Sequence, residues 1–477
     1  MVVWLAAWPG YYTYDAGYFT SYLNDKHLLD RQSPIHTIFV GSIMRVGLGI
    51  FVDFNSAVAF YIAFQLLICL ALIGYILNFM LKMKCPRLIF IFSVLFLALS
   101  PSISMFAMCT TKDIMCSVII VTFCLNGYQL INNKQTGRTS KLRIFGCVVL
   151  TFLIAVYRNN CLYALFLIIP AFCLLLSKTK RKKVILIFAS CILGLGLGFV
   201  WKGPVYDLLD VEHDNLKGEM ISVPSMQLAR AAAYDVSLGF ACNNFEKAGV
   251  DAPSVAKTYN AQMDNSDSMR FRFFISKADF ISLYVAELKD NPHAYVVAPL
   301  ILTQAAWSPF AYSHGYNYNS EYISNYSFLY PETESSVFAA WVESPANADS
   351  KIQWLSDALW HYSRDNPFTT YPLFSWTCSV SFFMWLLLLV LVRCINKKNY
   401  GGMFFCIALL CIAITNLLGP LILIRYYWYL FLSAPFLLFL LFSKQPNEQP
   451  DGRNTQAQAR LLKTPLATTQ TSKKRFI

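Results

Sequence analysis

Nine apolar runs separated by polar links constrain the fold of this chain more than any other feature. Apolar runs of about 17 to 25 residues are long enough for an α-helix to cross a ~30 Å hydrocarbon core, and the nine runs here are 14 to 27 residues long. With 477 residues, of which 56% are hydrophobic and only 14% are charged, the composition is that of an integral membrane protein. We therefore predict an all-α polytopic helical bundle with about nine full transmembrane helices and an N-terminal stub of another. The predicted spans are 55–81, 88–106, 114–131, 144–157, 161–177, 184–201, 376–395, 403–419 and 423–442.

The distribution of basic residues predicts the orientation of these spans. The chain has a formal net charge of +12, but its basic residues form short clusters between apolar runs, so we expect no nucleic acid partner. Basic and charge-poor links alternate, and the positive-inside rule assigns the basic links to the cytoplasm. The basic links are 82–87, 132–143, 178–183 and 393–399, and the C-terminal tail is also basic. The charge-poor links, which are then outside, lie around Thr110–Asp113, Arg158–Asn160 and Leu418–Leu423.

The predicted spans divide this multi-pass protein of the cell membrane into four regions. These are an N-terminal transmembrane region at 1–201 with its first outer loop at 9–53, an extracytoplasmic domain at 202–371, the C-terminal transmembrane helices at 372–443, and a disordered cytoplasmic tail at 444–477. Within the extracytoplasmic domain, helical periodicity predicts helices at Lys277–Asp290 and Ser222–Asp235. Ser222 or Ser225 is the expected N-cap of the second helix.

Two apolar segments near the N-terminus are not predicted to span. If 55–81 runs inward, then the loop around Asp15 is outside and 36–52 cannot also cross. We therefore interpret 36–52 as an amphipathic helix in the outer interface, with Arg45 at the headgroup level. The stub Met1–Trp8 is too short to cross, and we interpret it as the outer end of a helix whose first part is missing.

One carboxylate stands out in the first outer loop. The stretch Trp8–Tyr22, WPGYYTYDAGYFTSY, surrounds Asp15 with tyrosines and a phenylalanine. Aromatic residues are also enriched at membrane interfaces, because one end of the ring is apolar and the other prefers water. A structural interface loop and a catalytic carboxylate are therefore both open interpretations of this stretch.

The outer ends of the predicted spans carry further polar residues, and charges at membrane depth tend to mark function or a pairing partner. Three cations and an imidazole there suit the phosphate of a lipid carrier, and a carboxylate suits a general base. Each has a structural alternative: Thr110 and Asp113 fit a capping box, the arginines fit side chains that snorkel to the headgroups, and the histidine fits a hydrogen-bonding residue of the interface. The residues are His36, Lys112, Asp113, Arg158, Asn159 and Arg425.

Short motifs in a fixed order carry a resemblance to a known superfamily. The motifs are WPGYYTYDAGY, TTKDIM, YRNNCLYAL, SVPSMQLAR and LKDNPHAY, followed by a late RY near the last span. In order and topology the chain resembles bacterial GT-C type polytopic membrane glycosyltransferases, most closely an uncharacterised branch of that superfamily. It departs from the pattern in lacking a full first helix and in having a single acid, Asp15, where many members have an acidic pair.

The resemblance implies a glycosyltransferase of the cell envelope. Such an enzyme moves a sugar from a polyprenyl-phosphate donor to a glycan, lipid or protein acceptor on the outer face of the bilayer. Asp15 is then the candidate base, and Asp113 is the only evident second carboxylate. Lys112, Arg158 and Arg425 are candidates for binding the carrier phosphate, together with His36 and Asn159. No cofactor is certain, and a divalent metal is compatible with the resemblance but is not indicated by the sequence.

Two other classes of function remain open. A polymerase or ligase of lipid-linked glycans shares the lipid carrier and the outer-face site. A transporter or flippase of envelope precursors needs broken helices and polar residues at mid-membrane depth. The predicted spans lack interior charges, which counts against transport.

Overall fold

The computed structural model describes residues 1–11, 16, 19, 22–23, 26–132, 138–213, 221–262, 270–271, 275–309, 350–364 and 375–443. Within these ranges the chain is helical, and extended backbone pairs only at two isolated bridges, between Tyr11 and Cys109 and between Leu29 and Glu212. The predicted all-α polytopic architecture is therefore confirmed.

The first part of the chain forms the larger share of the bundle. Its helices are α1 (Val2–Ala6), a 3₁₀ turn (Asp30–Gln32), α2 (Pro34–Phe51), α3 (Phe54–Lys82), α4 (Arg87–Leu99), α5 (Pro101–Ala107), α6 (Lys112–Asn132), α7 (Arg138–Tyr157) and α8 (Asn159–Val200). A π-helical turn at Trp201–Val205 and a single α-turn at Tyr206–Leu208 follow.

The rest of the chain adds short helices and then returns to the bundle. The helices are α9 (Ser222–Leu238), α10 (Asn243–Lys247), α11 (Ala252–Thr258), α12 (Lys277–Asp290), α13 (Pro292–Leu302), α14 (Gln304–Trp307), α15 (Gln353–Arg364), a 3₁₀ turn (Ser375–Cys378), α16 (Val380–Asn396), α17 (Tyr400–Asn416) and α18 (Ile424–Phe442). Among the described residues, seven helical stretches are long and apolar enough to cross a membrane, or eight if α4 and α5, bent by 52°, form one span. The helices α16 and α17, at 17 residues each, are shorter apolar helices and lie on two of the predicted spans.

The continuous helix α8 contains two antiparallel spans. A straight helix of its 42 residues would extend about 63 Å, yet Lys202 Nζ, just after its end, donates to Asn159 Oδ1 at its start over 2.6 Å. The chain must therefore reverse inside α8, and its two apolar stretches meet at the basic link between Lys178 and Lys183. The predicted division into two spans with a basic link is thus consistent with the contacts, although the backbone stays helical.

The second half of α8 lies parallel to α7 in constant register. Lys183 Nζ donates to Ser140 Oγ over 2.9 Å, and this pair is separated by 43 positions, as is the pair of Lys202 and Asn159. The absence of a side chain allows Gly194 to approach α7, because a Cβ there would lie 2.4 Å from the Val148 carbonyl oxygen. Gly194 and Gly198 therefore serve close packing on α7, which is a common use of small residues between membrane helices.

Helix α2 satisfies the length and composition of a span, and its placement as an amphipathic helix in the outer interface stays a prediction. Gly47 packs on Ala57, and the rings of Phe39 and Tyr61 lie 6.2 Å apart, so α2 runs antiparallel to the first turns of α3. Gln65, further along α3, contacts the carbonyl oxygens of the loop before α6. The contacts of α2 thus involve the first turns of α3, which precede Gln65 in the sequence.

Arg45, which the sequence placed at the headgroup level, has neighbours within the protein. Its Nη2 atom donates to the carbonyl oxygens of Tyr22 and Leu23, each over 3.2 Å. The guanidinium also lies 5.7 Å from the centroid of the Tyr22 ring. Arg45 therefore ties the first loop to α2.

A second apolar core lies in the segment after the π-helical turn. It contains eleven buried residues of 228–295, including Leu228, Phe245 and Leu283. The prediction of a helix at Lys277–Asp290 is confirmed, and its N-cap is Ser276, whose hydroxyl accepts the N–H of Asp279.

The N-cap predicted for the helix at Ser222 is wrong. The helix α9 begins at Ser222 with Ile221 as its N-cap, and it extends three residues beyond the predicted end, to Leu238. Because the amide of Ser225 already donates to the carbonyl of Ile221, both serines lie inside the first turn. Neither serine hydroxyl has a hydrogen-bond partner.

The predicted topology leads to a labelling experiment. We expect cysteines at Ser320 and Thr455, two positions outside the described residues, to differ in intact cells after Cys242 is replaced. Ser320→Cys should react with an impermeant thiol reagent and Thr455→Cys should react only after permeabilisation, because basic links and the tail stay in the cytoplasm. Labelling of Thr455→Cys in intact cells would reverse the assigned orientation.

Candidate anion-binding site

A buried carboxylate at the start of α6 holds two arginines from distant parts of the chain. Arg158 Nη1 lies 2.8 Å from Asp113 Oδ1, and Arg425 Nε lies 3.6 Å from Asp113 Oδ2. The exposed fractions of the side chains are 2% for Asp113, 5% for Arg425 and 13% for Arg158. Three predicted site residues therefore meet in one cluster. Snorkelling to the headgroups, the alternative for both arginines, is wrong.

Tyr426 packs against both arginines of this cluster. The Cζ atoms of Arg158 and Arg425 lie 4.1 Å and 4.8 Å from the centroid of its ring. Arg425 Nη2 also donates to the Tyr426 hydroxyl over 3.1 Å. Cation–π attraction therefore adds to the ion pairs. Burial alone lowers the pKa of Arg158, but the charge of Asp113 outweighs it and raises that pKa above its ordinary value.

Three helix N-termini converge at this cluster. Asp113 is in the first turn of α6, Arg158 immediately precedes α8, and Arg425 is in the first turn of α18. The start of a helix carries unpaired N–H groups and about half a positive charge. An acid is favourable there, whereas cations are not. Because two arginines share the three N-termini with one carboxylate, positive charge is in excess and an anion is the complementary ligand.

Gln65, a fully buried polar residue of α3, fixes the loop before α6. Its Nε2 atom donates to the carbonyl oxygens of Ala107 and Cys109, each over 2.8 Å. Its Oε1 atom accepts the hydroxyl of Tyr61 over 2.7 Å. The backbone that leads to Asp113 is thus held from within the bundle.

The capping box predicted from Thr110 to Asp113 is wrong. The Thr110 hydroxyl donates to the carbonyl oxygen of Tyr11 over 3.3 Å, and the Thr111 hydroxyl accepts the Asp113 N–H over 3.3 Å. Thr111 also donates to Asp113 Oδ2 over 3.1 Å. The cap therefore comes from Thr111, because Thr110 pairs with the first loop of the chain.

Two lysines lie beside the cluster. Lys112 Nζ donates to Gln32 Oε1 over 3.2 Å, and Lys202 Nζ donates to Asn159 Oδ1 over 2.6 Å. Both lysines are half-buried, and they are close enough for their charges to repel. The predicted site residues Lys112 and Asn159 thus lie at the same end of the bundle as the arginines.

His36 lies in a fully buried aromatic environment. Its ring centroid is 4.7 Å from that of Phe19 and 5.7 Å from that of Tyr157. The imidazole faces the charge of Lys112 and the backbone of Thr110. Interface hydrogen bonding, the alternative for His36, stays a prediction, as does phosphate binding.

The predicted base Asp15 lies outside the described residues, but its described neighbours are anchored at this end of the bundle. Tyr11 is buried, and its amide donates to the carbonyl oxygen of Met108 over 3.0 Å. Ala16 and Phe19 are also buried, with Phe19 against His36. The described residues before and after 12–15 therefore lie at this end of the bundle.

Sequence reasoning missed three of the contributing side chains. Tyr426 directly follows Arg425, but its contact with Arg158 depends on the fold. Lys202 was assigned to the edge of the polar domain. Gln65 had one signal in the sequence, namely that it is an isolated glutamine in an apolar run. Polar residues inside membrane spans tend to pair with another polar group.

The described residues contain no group of three or more His, Cys, Asp or Glu side chains able to hold a metal ion. All fourteen cysteines are described and all are free thiols.

Residues 18–200 match one protein family, which is described as a family of unknown function (DUF6020). The match covers less than half of the chain and includes Lys112, Asp113 and Arg158. No curated protein and no solved structure matches this chain.

Proposed function

We propose that this chain is a membrane glycosyltransferase that moves a sugar from a polyprenyl-phosphate donor to an acceptor of the cell envelope. The observation that carries the proposal is the meeting of Arg158 and Arg425 with one carboxylate, Asp113, at three helix N-termini. The order of motifs that resembles GT-C type glycosyltransferases supports the same conclusion from the sequence.

The charge balance at the site favours a phosphate. Asp113 offsets one guanidinium charge, which leaves a net positive charge before Lys112 and Lys202 are counted. A phosphodiester that links a sugar to a lipid carries one negative charge and oxygens that match guanidinium donors. It also brings an isoprenoid chain, which the surrounding bilayer accommodates at this depth of the bundle.

Asp113 is placed to orient the arginines rather than to accept a proton. Its Oδ1 atom receives Arg158, and its Oδ2 atom receives the Thr111 hydroxyl and faces Arg425. A carboxylate engaged in this way has few free lone pairs for an acceptor hydroxyl. We therefore assign Asp113 a positioning role and keep it as the second candidate base.

The proposed reaction assigns the base to Asp15. The acceptor hydroxyl attacks the anomeric carbon, the bond from that carbon to the phosphate oxygen breaks, and a new glycosidic bond forms. The acceptor proton passes to the carboxylate, and the leaving group is polyprenyl phosphate. Arg158 and Arg425 stabilise the negative charge that develops on the leaving phosphate. His36, which faces the charge of Lys112, is a further candidate for the carrier phosphate.

The phosphate site is tested by removing its cations singly. We expect Arg158→Ala and Lys112→Ala to weaken binding of the lipid-linked donor by about 1.5–3 kcal/mol each, the usual contribution of a hydrogen bond to a charged group. The measurement is a titration of purified protein in nanodiscs with polyprenyl phosphate.

The matched control is Lys289→Ala, which removes an exposed lysine of α12 and should not change binding. Polyprenol, which lacks the phosphate, should bind weakly to every variant. If both site variants bind polyprenyl phosphate as the wild type does, the cations are structural and the carrier binds elsewhere.

A further inference from the structure

A pocket whose lining includes two cations lies at the opposite end of the bundle from the arginine cluster. It has a volume of about 220 Å³ and is formed by the last turns of α3, by α6 and by α7. Its lining includes two cations, Lys82 of α3 and Arg143 of α7. Both belong to the basic links, 82–87 and 132–143, that the positive-inside rule places in the cytoplasm.

The walls of the pocket are held in place by hydrogen bonds. Gln129 Nε2 donates to the Tyr75 hydroxyl over 2.6 Å, which joins α6 to α3. Asn126 Nδ2 donates to the carbonyl oxygen of Arg143 over 2.9 Å, which joins α6 to α7. The pocket is therefore formed by three helices that are joined by side-chain hydrogen bonds.

Among the described residues, no ion pair joins a carboxylate to either cation of the pocket. In the same part of the chain, the buried Arg143 Nε atom has no hydrogen-bond partner. From Phe54 to Tyr206 the sequence contains one acid, Asp113. That residue is 16 positions before Gln129 on the same helix, or about 24 Å away at 1.5 Å per residue. The pocket thus presents a buried, unpartnered donor beside a second positive charge.

Exposed apolar side chains lie next to the pocket cations in the sequence, on α3 and on α7. Leu81 of α3 is 56% exposed, and Leu142 and Phe145 of α7 are 61% and 64% exposed. These side chains suit acyl chains, whereas Lys82 and Arg143 suit a phosphate. An occupant with both features is a phospholipid.

We propose that this pocket binds the headgroup of an anionic phospholipid, with the phosphate between Lys82 and Arg143 and the acyl chains along α3 and α7. Basic pockets between transmembrane helices on the cytoplasmic side are known to take such headgroups. The site is separate from the arginine cluster, and its existence does not depend on the proposed glycosyltransferase activity.

The proposal is tested with two double variants of equal charge. Lys82→Gln with Arg143→Gln removes the pocket cations. Lys84→Gln with Lys141→Gln removes two exposed lysines that are close in sequence and do not line the pocket. Native mass spectrometry of the purified full chain then counts retained phosphatidylglycerol and phosphatidylcholine.

We expect the wild type and the control double variant to retain phosphatidylglycerol in preference to phosphatidylcholine. The pocket double variant should lose about 25-fold in affinity for phosphatidylglycerol, since each cation near the membrane surface contributes about fivefold. Lys82→Gln alone changes an exposed side chain, does not threaten folding, and should lose about fivefold.

Three outcomes would overturn the proposal. Retention of phosphatidylglycerol by the pocket double variant at the control level would show that the cations only set topology. Unchanged retention of phosphatidylglycerol by Lys82→Gln would show that Lys82 does not bind the headgroup, and a site of two cations would then be excluded. If inorganic phosphate raised the thermal stability of the wild type as much as phosphatidylglycerol does, the occupant would be a free anion and not a lipid.

Discussion

Asp15→Asn is expected to lower the rate of sugar transfer by about 10²–10⁴-fold, while the protein remains in the membrane and still binds the donor. A positioned general base typically contributes a factor of this size. Asparagine keeps the size and hydrogen bonding of the side chain but cannot accept the acceptor proton. The measurement is the initial rate of transfer by purified protein, at equal amounts of wild type and variant.

The control for this variant lies in the same loop. Asp25→Asn removes a carboxylate from a more polar stretch and should leave the rate nearly unchanged. Transfer by Asp15→Asn at the wild-type rate would refute the assignment. If Asp113→Asn were then inactive although folded, the base would be the carboxylate at the start of α6.

The second large effect concerns stability. Asp113→Asn is expected to lower the free energy of unfolding by about 3–5 kcal/mol, because removing one partner of a buried ion pair leaves the other charge uncompensated. Here two guanidinium groups, those of Arg158 and Arg425, lose their counter-charge. Thermal unfolding of the protein in detergent, followed by tryptophan fluorescence, measures the change.

The control for this stability change is Asp53→Asn. Asp53 is exposed and caps α3 by accepting the N–H of Ser56 over 2.8 Å, and asparagine caps helices about as well as aspartate. In addition, Asp113→Asn combined with Arg425→Gln should be less destabilised than the sum of the two single changes, since the residues are in contact. Unfolding of Asp113→Asn at the wild-type temperature would contradict the geometry of the cluster.

The positions of the helices followed from the sequence because each membrane span needs a long apolar run. The helix at Lys277–Asp290 was predicted to the residue, since Ser276 and Pro292 bound its apolar periodicity. The N-cap at Ile221 was missed, because an apolar N-cap has no sequence signature and the nearby serines were better candidates.

The sequence also indicated which residues form the site, but not how these residues pair. Charges are rare at membrane depth, so Asp113, Arg158 and Arg425 could be selected one by one. Their pairing joins positions that are 45 residues apart in one case and more than 300 in the other. Such contacts depend on how α6, α8 and α18 pack, which periodicity and composition do not specify. The sequence therefore left Asp113 between capping and catalysis, whereas the structure pairs it with both arginines.

The most direct measurement of the proposed function is the polyprenyl lipid profile of cells that express the wild-type chain or Asp15→Asn. A transferase that uses a polyprenyl-phosphate sugar predicts that this lipid accumulates with Asp15→Asn and returns to its normal level with the wild type, and its mass identifies the sugar. Accumulation of polyprenyl-diphosphate oligosaccharides instead would indicate a polymerase or ligase. Identical lipid profiles, with both proteins present in the membrane at equal levels, would contradict the account.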